Sequence, residues 1–262
     1  MAAHEIDFTI MGEEMQCVEV GLDPGESVIA EAGSFMMMDR EIRMETVFGD
    51  GTSSQGGGLM GKLMGAGRRV LTGESLFMTV FTHAGASGRQ SVTFASPYPG
   101  KIIPLDLAQY SGKIICQKDS FLCAAKGVSV GIEFQRKLGA GFFGGEGFIM
   151  QKLEGDGLAF VHAGGYVMEK TLQPGEMLRL DTGCLVGMTS SVDYDIEMVK
   201  GVKSALFGGE GLFFATLRGP GKVWVQSLPF SRMADRILSA AGSGRREEGS
   251  ILGGLGNLLD GR

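Results

Sequence analysis

Three glutamates invite a chemical reading. Glu74, Glu146 and Glu210 each follow a glycine at the head of one thirteen-residue phrase: GESLFMTVFTHAG from Gly73, GEGFIMQKLEGDG from Gly145 and GEGLFFATLRGPG from Gly209. Carboxylates gathered about a pseudo-threefold axis could bind a cation or raise one another's pKa. A structural role is the other reading. A glutamate at a strand start accepts backbone N–H bonds from a neighbouring turn and fixes each copy alike. Repetition favours the structural role, because a shared position implies a shared job.

The remaining reactive residues are scattered. His4 lies near the terminus, His83 aligns with Gly155 and Gly219, and His162 aligns with Gln226 and, across an insertion, Ala95. No two have the spacing of metal ligands on one helix or strand. Gly139-Ala140-Gly141-Phe142-Phe143-Gly144 fits G-x-G-x-x-G. A nucleotide site needs a helix and a later acidic residue after that motif, and here a Gly-Glu and a strand pattern follow. Cys17, Cys116, Cys123 and Cys184 form no C-x-x-C pair and read as reduced, buried core thiols. Met11, Met15 and Phe35-Met36-Met37-Met38 lie in apolar strand-like runs, where methionine fills irregular core gaps. No catalytic residue, metal or cofactor is expected, and the chain reads as a non-enzyme.

The elements that carry these residues are strands. Positions four to six and nine of the phrase are apolar in all three copies, and strand-like runs follow at 92–95, 158–162 and 222–226. Pro24-Gly25, Pro99-Gly100 and Pro174-Gly175 recur at equal intervals, with the chemistry of type II turns. Such an internal repeat marks one supersecondary unit used three times. Strands apolar on both faces belong in a sandwich or closed barrel. The expected architecture is all-β over 1–230, with approximate repeats 5–96, 97–168 and 169–230.

Just before each Gly-Glu stands an apolar pair: Val70-Leu71, Phe142-Phe143 and Leu206-Phe207. A stretch with glycine and basic residues precedes each pair. The longest insertion, 49–67, carries Leu59, Met60, Leu63 and Met64 at helical spacing and reads as a mobile apolar loop or a short helix that needs a partner. The tail, 231–262, differs in kind. Phe230, Met233, Ala234, Ile237, Leu238 and Ala241 mark one face of an amphipathic helix, with Ser231 as N-cap and Gly242-Ser243-Gly244 as its end. A second, weaker helical pattern covers 251–259.

Composition narrows the function classes. The chain has 262 residues, 44 of them glycine, and only 7 prolines. Abundant glycine with ordinary apolar content fits many short strands joined by tight turns. A net charge of −6 opposes nucleic-acid binding as the main role. No apolar run approaches the roughly 20 residues of a spanning helix. The N-terminus shows no signal or transit pattern, so a cytoplasmic protein, at most peripheral to a membrane, is expected.

Several phrases together resemble one family. EAGSFMMMD from Glu31, LTGESLF from Leu71, PYPGKIIPLDL from Pro97, LQPGEMLRLDTGCLV from Leu172 and GPGKVWVQSLPF from Gly219 agree in order and spacing with the altered-inheritance-of-mitochondria family of unknown function. The likeness covers roughly residues 5–230. It implies TRAP-like units of double-stranded β-helix type, assembled as a homotrimer, with no agreed activity. Tryptophan or RNA binding does not carry over with a fold.

These readings support an oligomeric scaffold or adaptor, with a membrane surface or a protein as partner. A small-ligand module in a cleft between repeats is the alternative. A metal-dependent enzyme built from convergent Glu, His or Cys residues is a third.

Overall fold

The computed structural model describes residues 2–31, 33–48, 77–136, 148–198 and 213–247. A leading strand, β1 (Asp7–Met11), precedes three groups of six. The first group is β2 (Cys17–Leu22), β3 (Ser27–Glu31), β4 (Phe35–Met38), β5 (Ile42–Phe48), β6 (Phe77–His83) and β7 (Gln90–Ala95). The second is β8 (Gly100–Asp106), β9 (Lys113–Gln117), β10 (Phe121–Ala125), β11 (Ser129–Arg136), β12 (Phe148–Glu154) and β13 (Leu158–Gly164). The third is β14 (Val167–Leu172), β15 (Met177–Asp181), β16 (Leu185–Thr189), β17 (Asp193–Met198), β18 (Phe213–Arg218) and β19 (Gly221–Gln226). The helix α1 (Phe230–Glu247) follows. The architecture is all-β, as expected.

Antiparallel pairing follows the same order in each group. β7 lies between β2 and β4, β13 between β8 and β10, and β19 between β14 and β16. β6 lies between β5 and β3, β12 between β11 and β9, and β18 between β17 and β15. The register shifts at matching points, Phe35/Met37, Phe121/Cys123 and Leu185/Gly187. Such a bulge leaves one residue out of the ladder and bends the strand.

Two further pairings join the groups: β3 with β10 and β9 with β16. They produce two six-stranded sheets, β5-β6-β3-β10-β13-β8 and β11-β12-β9-β16-β19-β14, flanked by the sheets β1-β2-β7-β4 and β15-β18-β17.

Three apolar clusters lie between successive sheets. Val18 and Val20 meet Val28, Ala30 and Phe81 in one. Ile29 and Val80 meet Ile114, Cys116 and Leu153 in the next. Ile115 and Met150 meet Ala215 and Leu217 in the last. Neighbouring residues in a strand point to opposite faces. Ile29 therefore serves one cluster, and Val28 and Ala30 serve another. A sheet buried on both faces needs apolar residues at every position, which is why β10, FLCAA, is buried throughout.

Several expectations change here. Gly25 and Gly175 have φ of 87° and 79°, as type II turns require. Pro99-Gly100 makes no such turn. Gly100 already belongs to β8, and left-handed Ser111 and Gly112, with φ of 57° and 76°, stand before β9 instead. Helix α1 begins at Phe230, so Ser231 lies inside it, and the helix runs through Gly242-Ser243-Gly244 to Glu247. Cys116 and Cys123 are buried, but Cys17 and Cys184 are only half-buried. The methionine run does not fill a core. Phe35, Met36, Met37 and Met38 are 41%, 54%, 49% and 41% exposed, and Met11 and Met15 are exposed as well. Their strand lies at a sheet edge with nothing beyond it among the described residues.

Candidate functional site

The residues singled out for interaction, Leu59, Met60, Leu63, Met64, Val70, Leu71, Phe142, Phe143, Leu206 and Phe207, lie outside the described residues, as do Glu74, Glu146, Glu210 and the G-x-G-x-x-G stretch. The histidines fall inside, in three different settings. His4 Nδ1 accepts the Ser27 N–H at 2.9 Å. His83 ends β6, where its Nδ1 is 3.1 Å from the Leu22 carbonyl and its Nε2 is 3.6 Å from Glu41 Oε2. His162 lies on β13, only 1% exposed, and neither ring nitrogen has a hydrogen-bond partner among the described residues. No group of three or more His, Cys, Asp or Glu side chains there has the geometry for a metal ion.

His162 lines a cavity of about 270 Å³ between the first and second groups of strands. Glu31, at the end of β3, and Ser34 come from the first group. Asp119, Phe121 and Leu122 come from the second, Pro97 and Tyr98 from the connection, and Phe230 from the start of α1. Aromatic contacts form one wall. Tyr98 meets His162 edge-on with ring centres 4.4 Å apart and Phe230 at 5.3 Å. Ser34 Oγ donates to the Glu31 carbonyl at 2.9 Å and so ties the cavity floor to the strand end.

The third group shows why His162 lacks a donor to its ring. Gln226 occupies the corresponding position on β19. Its Oε1 accepts the Gly164 N–H at 2.7 Å, and its Nε2 donates to the Gly183 carbonyl at 2.8 Å. Gly164 lies three residues before Val167, the strand partner of Gln226. Three residues before Ile102, the partner of His162, stands Pro99. Proline has no N–H to give. Gly100 then brings bare backbone against the ring, since a Cβ there would strike His162 Nε2.

Burial shapes the electrostatics. It raises Glu31 from 4.5 to about 7, with the Asp119 charge adding to the rise and Lys118 opposing it. It lowers His162 from 6.5 to about 4, and the Tyr98 backbone, outside hydrogen-bond geometry, opposes that shift. Burial, with Asp119 second, lifts the Tyr98 hydroxyl to about 12. At neutral pH the cavity therefore holds a neutral imidazole, a neutral phenol and a carboxyl near its midpoint.

Glu31, Ser34, Tyr98 and Phe230 all stood in the phrases EAGSFMMMD, PYPGKIIPLDL and GPGKVWVQSLPF, but nothing in the chain order placed them together. One signal was available. His162 aligns with Gln226 and Ala95, so only the second copy carries a titratable side chain at that position.

The second feature of interest is a pair of open edges. β4 pairs only with β7, and β15 only with β18, among the described residues. Their counterparts β10 and β16, and β3 and β9, are paired on both sides.

A family model described as mitochondrial biogenesis AIM24 matches residues 8–228. An uncharacterised protein of Streptococcus pyogenes serotype M6 is 30% identical over 241 residues, which cover 90% of this chain and 92% of that protein. The X-ray crystal structure of another Streptococcus pyogenes protein superposes with a TM-score of 0.69 at 26% identity, covering 90% of this chain and 100% of that one.

Proposed function

This chain belongs to the mitochondrial biogenesis AIM24 family, and on that footing we propose that it is a non-enzymatic scaffold, a homotrimer closed by pairing β15 of one copy with β4 of the next. In this reading the three groups of strands are three copies of one TRAP-like unit of double-stranded β-helix type. The open edges carry the proposal. Inside the chain, the β3 edge of the first group takes β10 of the second, and the β9 edge of the second takes β16 of the third. The β15 edge is the next member of that series and β4 is the next partner, but one chain holds no fourth group.

Burial supports the reading. Phe121, Leu122, Cys123 and Ala124 on β10 are all under 4% exposed, whereas Phe35 to Met38 on β4 are each above 40%. An unpaired apolar edge is a template for another strand. A head-to-tail contact closes into a ring when the rotation permits, and the family resemblance implies three copies.

The register follows from the two internal joins. The fourth residues of β3 and β9 face the third residues of β10 and β16: Ala30 with Cys123, and Cys116 with Gly187. Leu180 of one copy then faces Met37 of the next. Light scattering of the purified chain tests the mass. The double variant Met37→Cys, Leu180→Cys tests the register. A trimer that links chain to chain on mild oxidation is expected. A monomer, or a link formed only within a chain, overturns the proposal.

The tail favours a site at a membrane surface for this cytoplasmic scaffold. Ile237 and Leu238 are 60% and 69% exposed on the same face as Phe230, with Arg236 on the polar side of the helix. A basic amphipathic helix of this kind lies in the lipid interface. No helix among the described residues is long and apolar enough to cross a membrane. Flotation with anionic liposomes, with and without residues 231–262, tests this. Failure of the intact chain to float rejects the membrane site and leaves the trimer standing.

A further inference from the structure

We propose that the cavity between the first and second groups of strands binds a small organic cation, a protonated amine with a short apolar tail, held by Glu31 and His162 against Tyr98 and Phe230. This site is independent of the open edges and of the assembly they support.

The site is built rather than left over. The equivalent position in the third group is closed by Gln226, which spans two backbone groups. In the second group Pro99 removes the donor, and His162 stands in the cavity wall with both ring nitrogens unpartnered among the described residues and closed to solvent, so a guest reaches the ring only as that wall shifts. A buried polar atom without a partner costs free energy, and a ligand that supplies the partner recovers it. The neutral imidazole has one nitrogen that accepts a hydrogen bond. Its other nitrogen carries an N–H, which the Tyr98 backbone faces, so the accepting nitrogen is the one left for a guest, which serves it with an N–H or O–H donor.

Charge chooses between those donors. Glu31 and Asp119 line the cavity with carboxylates, and Lys118 on the same 3-10 turn as Asp119 offsets one of them. The balance is negative, so a cation is the complementary guest. An ammonium head has three donors, enough for the Glu31 carboxylate and the His162 nitrogen together. Aromatic faces attract cations, and Tyr98 and Phe230 stand in contact at the same wall. Leu122 and Phe230 supply apolar surface for a tail. A cavity of about 270 Å³ lies near the lower limit for small-ligand pockets, which suits a guest of a few carbons.

Glu31 is expected to ionise fully as the cation enters, because an adjacent positive charge lowers a carboxyl pKa. The charged groups that act on it are Asp119, which opposes ionisation, and Lys118, which favours it.

The test uses the full chain with n-butylammonium chloride as probe, and n-butanol and sodium butyrate as controls, by calorimetric titration at pH 7.5. Saturable butylammonium binding at least tenfold tighter than butanol is expected, with no butyrate binding. Glu31→Gln is expected to weaken butylammonium at least tenfold. A second measurement needs no variant. The chain has three histidines, so the ring nitrogens of His162 can be followed in long-range proton–nitrogen spectra of the wild type. Butylammonium is expected to shift His162 and leave His4 and His83 in place. Equal binding of butylammonium and butanol, or a His162 signal that does not move at saturation, overturns the proposal.

Discussion

Glu31 and His162 titrate in opposite directions, so removing either one uncovers the pH dependence of the other. Burial holds the Glu31 proton up to about pH 7, against 4.5 in the unfolded chain. Its contribution to stability is complete below pH 4.5 and disappears as pH rises through 7. Burial keeps His162 neutral down to about pH 4, against 6.5 unfolded. Its contribution is complete above pH 6.5 and disappears as pH falls through 4. Between roughly pH 4.5 and 6.5 the folded chain holds one extra proton on Glu31 and one fewer on His162. Each imbalance alone is a slope of about 1.4 kcal/mol per pH unit, and together they cancel. Over that window each reaches at most about 3 kcal/mol, and solvent at the cavity mouth screens it to on the order of 2 kcal/mol.

Glu31→Gln should therefore become more stable relative to wild type by about 2 kcal/mol as pH rises from 4.5 to 6.5. His162→Gln should lose a similar amount relative to wild type over the same range. Urea denaturation at fixed protomer concentration, at pH 4.5, 5.5 and 6.5, gives both difference curves. The other carboxylates titrate in all three proteins and drop out of the differences. Two flat curves, or two curves of the same sign, would refute the reasoning about burial.

Three further outcomes follow from the packing and the edges. Met37→Lys places a charge on the β4 edge, where each copy would pair with the next; it should weaken association at least tenfold, from about 1.5 kcal/mol of lost burial, and unchanged mass by light scattering would count against the proposed contact. Leu153→Ala, at a fully buried position in the central cluster, should lower stability by about 2–5 kcal/mol in urea denaturation, and a loss below about 1 kcal/mol would contradict the layered core. Glu169 accepts from Trp224 Nε1 at 3.1 Å and from Lys222 Nζ at 2.6 Å; Glu169→Ala should shift the emission of the single tryptophan to the red at a cost of about 1 kcal/mol, and an unchanged spectrum would show that the contact is not kept in solution.

The class of fold was legible because strands advertise themselves locally. Runs such as 27–30, 158–162 and 222–226 are apolar at successive positions, and that pattern belongs to sheets covered on both faces. The amphipathic face from Phe230 to Ala241 was legible for the same reason, since helical spacing is a property of neighbours. The true end of α1 was not, because glycines weaken a helix without forbidding one. Phe35 to Met38 show a different limit. Their composition is that of a core strand, and it matches β10 in kind. Their exposure depends on whether another strand lies alongside, which no local pattern records.

The amino-acid sequence by itself determined the β class, the family and the apolar face of the tail, since each rests on residue types at short, regular spacing. The tertiary structure decided the cavity. Glu31, Tyr98, His162 and Phe230 come from four separate segments: pairing through β10 brings the strands of Glu31 and His162 together, and Tyr98 packs against His162 and Phe230. It also decided what His162 lacks. The missing partner is an N–H absent from Pro99, three residues before the strand partner of the histidine, and such a deficit becomes visible only when the register of the two strands is known.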